Sequence, residues 1–479
     1  MKILLLYPPR EHYIFGITPH VYIEADAGYY PPIGLLYLAG YLKKFSDDEI
    51  YVLDAYTEKM SHQQVKEYVR QIAPEVVGIY FSTYYLYDGI LTVQNIKSVA
   101  SEIITVVGGP HPDLYPKETI EIPGVDYVMV GESEKSFNQL IKYLKEKNFS
   151  ALDTLPNLLT KNNPTKVVRR EKIENLDELP FPAREFLNHK KYSSILAKNN
   201  PITTVISSRG CPYRCYFCSN IESGQRVRYR SAKNVVDELQ EIGERFGIYD
   251  ILFFDELFTS NRQRVLDICE EIIRRGLKIR WHCRSRADVL DEELVKKMKK
   301  AGCRLIQFGI ETGNQRLQKV INKNLNLEKV RQTIKMVYDN GIYTYADFMF
   351  GLPTETEEET KNTLEYAKSL KLDYVVFGMF HPVPGSVFYD QGVVQKLFSD
   401  YWRELVVNKP GGTIADHSWT GKDRQKYEKF MSLAYNQFYF RPLYWWNWLR
   451  RLDSLPQFFW QVKSGLKVFS RIFSRDWSD

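Results

Sequence analysis

Three cysteines stand within eight residues in Ser208-Arg-Gly-Cys211-Pro-Tyr-Arg-Cys215-Tyr-Phe-Cys218. Three thiolates on one loop can hold three irons of a cubane iron–sulfur cluster. The fourth iron then has no ligand in the motif and stands open to bind and activate a small molecule. The competing reading is a structural zinc site. That site needs a fourth ligand and is usually built from paired C-x2-C halves, and the chain has no second such pair. The spacing therefore favours the cluster. Cys269, Cys283 and Cys303 lie apart in structured segments, and Cys269 and Cys283 read as small buried core residues.

The elements that must position this loop follow a βα rhythm. Strands are expected at Ile202–Ser207, Ile251–Phe254, Ile279–Cys283, Arg304–Ile310, Tyr343–Phe350 and Tyr374–Phe380. Amphipathic helices separate them, for instance Asp291–Ala301 and Glu328–Asn340, each followed by Gly. Six such units make a partial (β/α) barrel, whose active site gathers at the C-terminal ends of the strands. Cys211 follows the first strand. Asp255 and Glu256 end the second, Arg284 and Arg286 the third, and Glu311 the fourth. Gly351-Leu-Pro353 ends the fifth, and His381-Pro-Val-Pro-Gly-Ser386 the sixth. A carboxylate just after a strand can equally be a helix N-cap.

Residues 1–150 carry a second alternation. Strands are expected at Lys2–Leu6, Ile50–Asp54, Val76–Phe81, Thr105–Val107 and Tyr127–Val130. Helices are expected at Gly34–Lys44, His62–Ile72, Ile90–Ser101 and Lys135–Lys147. This is an α/β pattern, a doubly wound parallel sheet of flavodoxin-like size. Residues 151–200 break the rhythm with a hairpin-like Asn162-Asn163-Pro164 and a rigid Glu178-Leu-Pro-Phe-Pro182, and read as a linker. The barrel then spans 201–390, and 391–479 form a helical, aromatic-rich region. Within it, residues 441–477 hold five of the eight Trp and an excess of basic residues, so a helix lying on a membrane surface competes with ordinary core packing.

Net charge is +6 over 479 residues, which permits an anionic substrate but offers no basic arm for nucleic acid. Met1–Leu6 runs into a core strand without a leader pattern, and no apolar stretch reaches about 18–20 residues. A cytoplasmic location is expected.

The cysteine spacing, with aromatic Phe217 before the last Cys, resembles the radical S-adenosylmethionine (SAM) superfamily over roughly residues 200–390. The resemblance implies an open iron that chelates the amino and carboxylate groups of SAM. It further implies reductive cleavage to a 5′-deoxyadenosyl radical, with electrons from a flavodoxin- or ferredoxin-type donor. Carried over to this chain, Glu256 would face the amino group, Arg284 or Arg286 the carboxylate, and Glu311 the ribose. Gly351 would lie near the adenine, and Phe217 and Asp255 complete the SAM-binding set.

The first domain resembles the cobalamin-binding domain of one large subclass of that superfamily. The matching residues are Tyr7-Pro-Pro9, Pro32-Ile-Gly34-Leu-Leu-Tyr-Leu-Ala39, Val106-Val-Gly-Gly109-Pro-His111 and Asp126-Tyr-Val-Met-Val-Gly131-Glu132. Pro9, Ser82, Thr83, Gly108, Gly109, His111 and Glu132 would line the cobalamin. The Asp-x-His-x-x-Gly motif that supplies a lower histidine to cobalt in other cobalamin folds is absent; Glu11-His-Tyr-Ile-Phe-Gly16 does not match it. A degenerate domain without cofactor is the competing reading.

Two enzymatic functions follow from the resemblance. One is a cobalamin-dependent methyltransferase acting on an unactivated carbon or phosphorus of a small or lipid-like molecule. The other is an oxidoreductase of the anaerobic magnesium-protoporphyrin monomethyl ester cyclase type. A non-catalytic sensor is the third reading, and RNA modification is disfavoured by the missing basic module. The shared motifs bind cofactors and single out no general acid or base, although His381 is a candidate.

Overall fold

The computed structural model describes residues 1–12, 28–164, 168–219, 226–408 and 424–451. Among them no helix is long and apolar enough to cross a membrane. They form two compact units.

In the first unit, β1 (Lys2–Tyr7), β2 (Glu49–Asp54), β3 (Val76–Tyr80), β4 (Ile104–Gly108) and β5 (Tyr127–Met129) make a parallel sheet in the order β2-β1-β3-β4-β5. This is the flavodoxin-like order, which places a ligand crevice at the β1/β3 switch point. The longer helices are α1 (Ile33–Phe45), α2 (His62–Ile72), α3 (Leu86–Val99) and α4 (Glu134–Lys145). Leu35, Leu36, Ala39 and Leu42 of α1 recur at helical spacing and join Ile3 and Leu5 of β1 in one core with Phe137, Leu140, Ile141 and Leu144 of α4. Ser61 and Gln64 close a reciprocal capping box at the start of α2.

The expected linker needs correction. Leu158–Thr160, here β6, is buried and pairs antiparallel with β5 as a sixth strand. The Pro-rich stretch then lies along α1. The Ala183 N–H donates to the Leu36 carbonyl at 3.0 Å, and the Phe181 carbonyl comes so near Gly40 that a Cβ there would stand 2.6 Å from it. Apolar burial and hydrogen bonding thus assign residues up to 191 to the first unit. Residues 398–408, expected with the C-terminal region, also belong to it, and Arg403 pairs with Glu118 at 3.1 Å. The Asn162–Pro164 turn begins with an Asn163 N–H to Thr160 carbonyl bond, but residues 165–167 lie outside the described residues.

The second unit holds six parallel strands in sequence order: β7 (Ile202–Val205), β8 (Asp250–Phe253), β9 (Arg280–Ser285), β10 (Cys303–Glu311), β11 (Tyr343–Phe350) and β12 (Tyr374–Met379). Between them lie α5 (Ala232–Phe246), α6 (Arg262–Arg274), α7 (Glu292–Lys300), α8 (Gln315–Val320), α9 (Leu327–Asp339) and α10 (Glu357–Ser369). This is the expected partial barrel, with strand bounds within a few residues of the expectation. Along β11 the period-2 alternation is clear. Ala346, Phe348 and Phe350 enter the core beneath the helices, whereas Tyr345, Asp347 and Met349 sit half-buried on the other face. Cys269, Cys283 and Cys303 all belong to that core.

Edge strand β12 is finished by side chains. On the helix Arg424–Tyr439, the Tyr435 hydroxyl accepts the Phe377 N–H and donates to the Phe377 carbonyl, both at 3.0 Å. Tyr439 does the same at Val375, at 2.9 and 2.8 Å. Two phenols thus replace a neighbouring strand and satisfy an edge that would otherwise be open to pairing. Part of the expected aromatic-rich region therefore packs on the barrel. The helix Pro442–Arg450 follows, and the stretch from 452 to Trp477 lies outside the described residues.

Gly302 turns α7 into β10 at φ +95°, with the Ile279 carbonyl in the space a Cβ would take. Gly302→Ala is expected to cost about 1–3 kcal/mol. Thermal unfolding followed by near-ultraviolet circular dichroism checks this, and an unchanged midpoint would refute it.

Candidate active site

The cysteine loop leaves β7 under strict control. Asp255 is fully buried, and its carboxylate accepts the Ser207 N–H at 2.7 Å, the Ser207 hydroxyl at 2.6 Å and the Ser208 hydroxyl. Arg264 lies 3.9 Å behind it and donates to the Ser207 carbonyl at 2.8 Å. The expectation that Asp255 contacts a cofactor is thereby corrected: its oxygens are consumed in anchoring the loop. Ser208–Arg209 then pairs antiparallel with Arg228–Tyr229, closing the loop's base. Further on, the Tyr216 N–H donates to the Ile321 carbonyl, Asn322 donates to the Arg214 carbonyl, and the Phe388 N–H donates to the Tyr216 carbonyl. Tyr216 and Phe217 pack against Leu317, Ile321, Leu352, Phe380 and Phe388.

Cys211, Cys215 and Cys218 are each half-exposed on this loop. Burial pushes the thiols of Cys211 and Cys215 up, against the pull of nearby cations: Arg286 at Cys211, and Lys323 with Arg286 at Cys215. Metal loading would therefore displace protons. Exposed Glu256 is near enough to Cys211 to act on it electrostatically. Arg286 stacks 3.8 Å over the Tyr213 ring and grips Asp288 with two bonds of 3.0 and 2.8 Å. It also donates to the Lys323 carbonyl at 3.0 Å, while its Nη1 is buried without a partner among the described residues.

Glu311 closes β10 in the left-handed region, φ +70°, where the pairing with β11 shifts register. This non-glycine strain is held by a buried ion pair with Lys323 at 2.7 Å. Lys323 also lies 5.5 Å from the Phe217 ring centroid. Gly309 leaves the room: a Cβ there would stand 2.5 Å from Glu311 Oε1 and 2.7 Å from Lys323 Nζ. Asp347 accepts from Gln307 at 2.8 Å, and burial with Glu311 nearby pushes its carboxyl up to about 6. Arg284 is exposed, lies 5.4 Å from the Phe254 ring centroid, and acts on Asp347. The site thus gathers three thiols, the rings of Tyr213 and Phe217, two arginines, one lysine and the carboxylates of Glu256, Asp288, Glu311 and Asp347, enough to hold an anionic metal cluster and a zwitterionic ligand. His381 follows β12 after Phe380.

The sequence reading missed Lys323, Asp347 and Glu355. Lys323 sits in a loop with no signal. Asp347 was legible as the lone acid in an apolar strand. Glu355 accepts the Gly351 and Leu352 N–H groups, the latter at 2.8 Å, and so shapes the Gly351 turn, where φ is +81°.

In the first unit, Gly108 closes β4, and Pro9, Ser82, Thr83, Gly109, His111 and Glu132 follow the C-terminal ends of strands. Gly109 has a packing reason of its own, since a Cβ would stand 2.9 Å from the Phe81 carbonyl and 3.0 Å from the Tyr80 ring. Glu132 accepts the Ile173 N–H at 3.0 Å. His111 is fully buried, and burial holds its imidazole down at about 3. Both its ring nitrogens lack a partner among the described residues, an orphaned pair that polar atoms of a bound ligand would satisfy. The missed feature is Arg10 at the switch point, set over Tyr7, Tyr56 and Tyr85 at 5.1, 4.5 and 4.4 Å. Residues 13–27, with most of the Glu11–Gly16 stretch, lie outside the described residues.

Burial pushes the Glu355 carboxyl from 4.5 up to about 7. Across that window the native state holds a proton that the unfolded chain has lost, so this group's contribution to stability falls as pH rises. Glu355→Gln keeps an acceptor for both N–H groups and removes the titration. The variant's unfolding midpoint, relative to the parent, is expected to climb between about pH 5 and pH 8. A flat difference would refute this account.

The comparisons agree with the geometry. The Radical SAM superfamily model matches residues 205–367, and the B12 binding domain model matches residues 19–141. An uncharacterized methyltransferase of Pyrococcus horikoshii is 31% identical over 449 residues, covering 92% of this chain and 93% of that protein. The anaerobic magnesium-protoporphyrin IX monomethyl ester cyclase of Rubrivivax gelatinosus is 32% identical over 386 residues, covering 79% and 67%. Among solved structures, the radical SAM methyltransferase TsrM of Kitasatospora setae, with cobalamin and a [4Fe–4S] cluster bound, shares the fold. Its TM-score is 0.66 at 19% identity, over 82% of this chain and 75% of that one. This chain belongs to the radical SAM enzymes that join a B12-binding domain to the radical SAM domain, and its cofactors are a [4Fe–4S] cluster, SAM and cobalamin.

Proposed function

We propose that this chain is a methyltransferase acting on an unactivated carbon, or phosphorus, of a small or lipid-like molecule. The observation that carries this reading is likeness to a methyltransferase across 92% of the chain, spanning both modules. The cluster with SAM supplies a substrate radical, and cobalamin supplies a methyl carrier.

In this reading Cys211, Cys215 and Cys218 hold the cluster, and Glu256 receives the amino group of SAM. Arg284 takes the carboxylate, because Arg286 is already committed to Asp288, Tyr213 and the Lys323 carbonyl. Arg286 and Lys323 act as positioning cations beside the thiolates. Glu311, held by Lys323, faces the ribose, Phe217 flanks SAM, and the Gly351 turn borders the adenine. Pro9, Ser82, Thr83, Gly108, Gly109, His111 and Glu132 line the cobalamin. An external flavodoxin- or ferredoxin-type donor in the cytoplasm provides the electrons. The second reading is an oxidative cyclase, favoured by 32% identity to the magnesium-protoporphyrin enzyme.

Anaerobic reconstitution with iron, sulfide and hydroxocobalamin, followed by reductant and SAM, tests these roles. Cobalamin bands are expected to survive desalting, and 5′-deoxyadenosine is expected to form and be lost in Cys215→Ala. S-adenosylhomocysteine should accompany methylated product; oxidised product with no methyl gain would establish the cyclase reading instead. Deoxyadenosine formation undiminished in Cys215→Ala would remove the cluster assignment.

Peripheral membrane contact is part of the proposal. The helix Pro442–Arg450 exposes Trp445, Trp446 and Leu449, with Arg450 4.5 Å from the Trp446 ring centroid. Co-sedimentation with anionic phospholipid vesicles is expected and should weaken several-fold in a Trp445→Ser/Trp446→Ser variant. Equal recovery of both proteins would dismiss the contact.

A further inference from the structure

The C-terminal edge of the first sheet carries a second group of metal-ligating side chains, one the radical chemistry does not use. Asp88, in the first turn of α3, is fully buried. Its Oδ2 accepts the backbone N–H groups of Glu11 at 3.1 Å and His12 at 2.9 Å. Its Oδ1 lies 2.8 Å from His12 Nδ1 and 2.8 Å from His62 Nε2. Glu11, His12 and His62 each bring a ligand atom within 4.8 Å of the others. These side chains and Asp88 come from three places: the segment after β1, the first residue of α2, and the first turn of α3.

A buried carboxylate needs a compensating positive charge. Among the described residues no Lys or Arg pairs with Asp88; its side-chain partners are these two imidazoles. A neutral imidazole brings no charge, and Glu11 adds a second negative group. A divalent ion would neutralise both carboxylates at once. Two imidazoles with carboxylate oxygen, and positions left for water, suit ferrous iron or manganese.

We propose that Glu11, His12 and His62, with both imidazoles steadied by Asp88, form a site for one divalent first-row metal ion, separate from the cysteine loop. The ion ties the segment after β1 to the starts of α2 and α3. Its role is structural, stiffening the edge from which the strand-end loops depart.

Manganese(II) is the probe, because it is paramagnetic, stable in air and binds thiolates weakly. The full-length chain, purified without cluster, is titrated with Mn(II), and the free ion is counted by electron paramagnetic resonance. One bound equivalent is expected, with the unfolding midpoint raised by saturating Mn(II). His12→Ala and His62→Ala should each weaken binding at least tenfold. A Cys211→Ser/Cys215→Ser/Cys218→Ser variant should bind Mn(II) as the parent does. His12 has a side chain 45% exposed, so its truncation leaves the core intact and guards against mere misfolding. No bound equivalent, or binding unchanged in His12→Ala, would overturn the proposal. Loss of stability in His62→Ala without any Mn(II)-linked stabilisation would show a hydrogen-bonded cluster only.

Discussion

The buried carboxylate of Asp255 is the constraint on which the active site depends. It takes an N–H and two hydroxyls from Ser207 and Ser208, with Arg264 behind it. A loop carrying three thiols has no regular structure to hold it, yet a cluster demands three sulfurs in fixed relation. The chain meets that demand by fastening both ends and the middle. Asp255 fixes the exit from the strand, and the short antiparallel pair closes the base. Backbone bonds to Ile321 and Phe388 hold the centre. The Asp255 fastening uses buried groups, where an unmade hydrogen bond would cost most.

A second constraint acts at the end of β10. Glu311 occupies a left-handed conformation that a glutamate avoids, and it keeps that conformation because Lys323 pairs with it in the space left by Gly309. The same lysine bears on Phe217 and on Cys215. One buried cation therefore couples the strained carboxylate, the aromatic of the cysteine motif and one of its thiols. Removing it would leave Glu311 charged and unpaired, which is far worse than never having buried the pair. Arg286 has a parallel part, since its grip on Asp288 and the Lys323 carbonyl orders the loop that carries the lysine.

In the first unit the same economy appears in a different form. The parallel sheet directs all its strand-end loops to one edge, so polar and aromatic groups far apart in sequence converge there. Arg10 among three tyrosines, buried His111, and Asp88 between two histidines are the results. Gly109 is a caution about motif residues. Its glycine is demanded by β3 packing against the turn, whatever ligand the turn also serves.

The fold was largely legible because period and punctuation are local. Val76–Phe81 and Tyr343–Phe350 are apolar runs of strand length, α2 is bounded by its own cap, and glycines mark the helix ends. The cysteine triplet was legible for the same reason, three ligands lying on one short stretch. Residues 151–191 were misread because a three-residue strand has almost no periodicity, and it is recognised only once β5 offers an edge. Asp255 and Glu256 are neighbours with the same chemistry, yet burial gives one to the loop and leaves the other near Cys211. Lys323 and Glu355 carried no sign of their roles, since both act through partners brought close by folding. The sequence by itself determined the two βα modules, the cysteine triplet and the family. Only the tertiary structure decided which of several equivalent charges is buried, paired or left facing the site, because that choice depends on desolvation by residues distant in the chain.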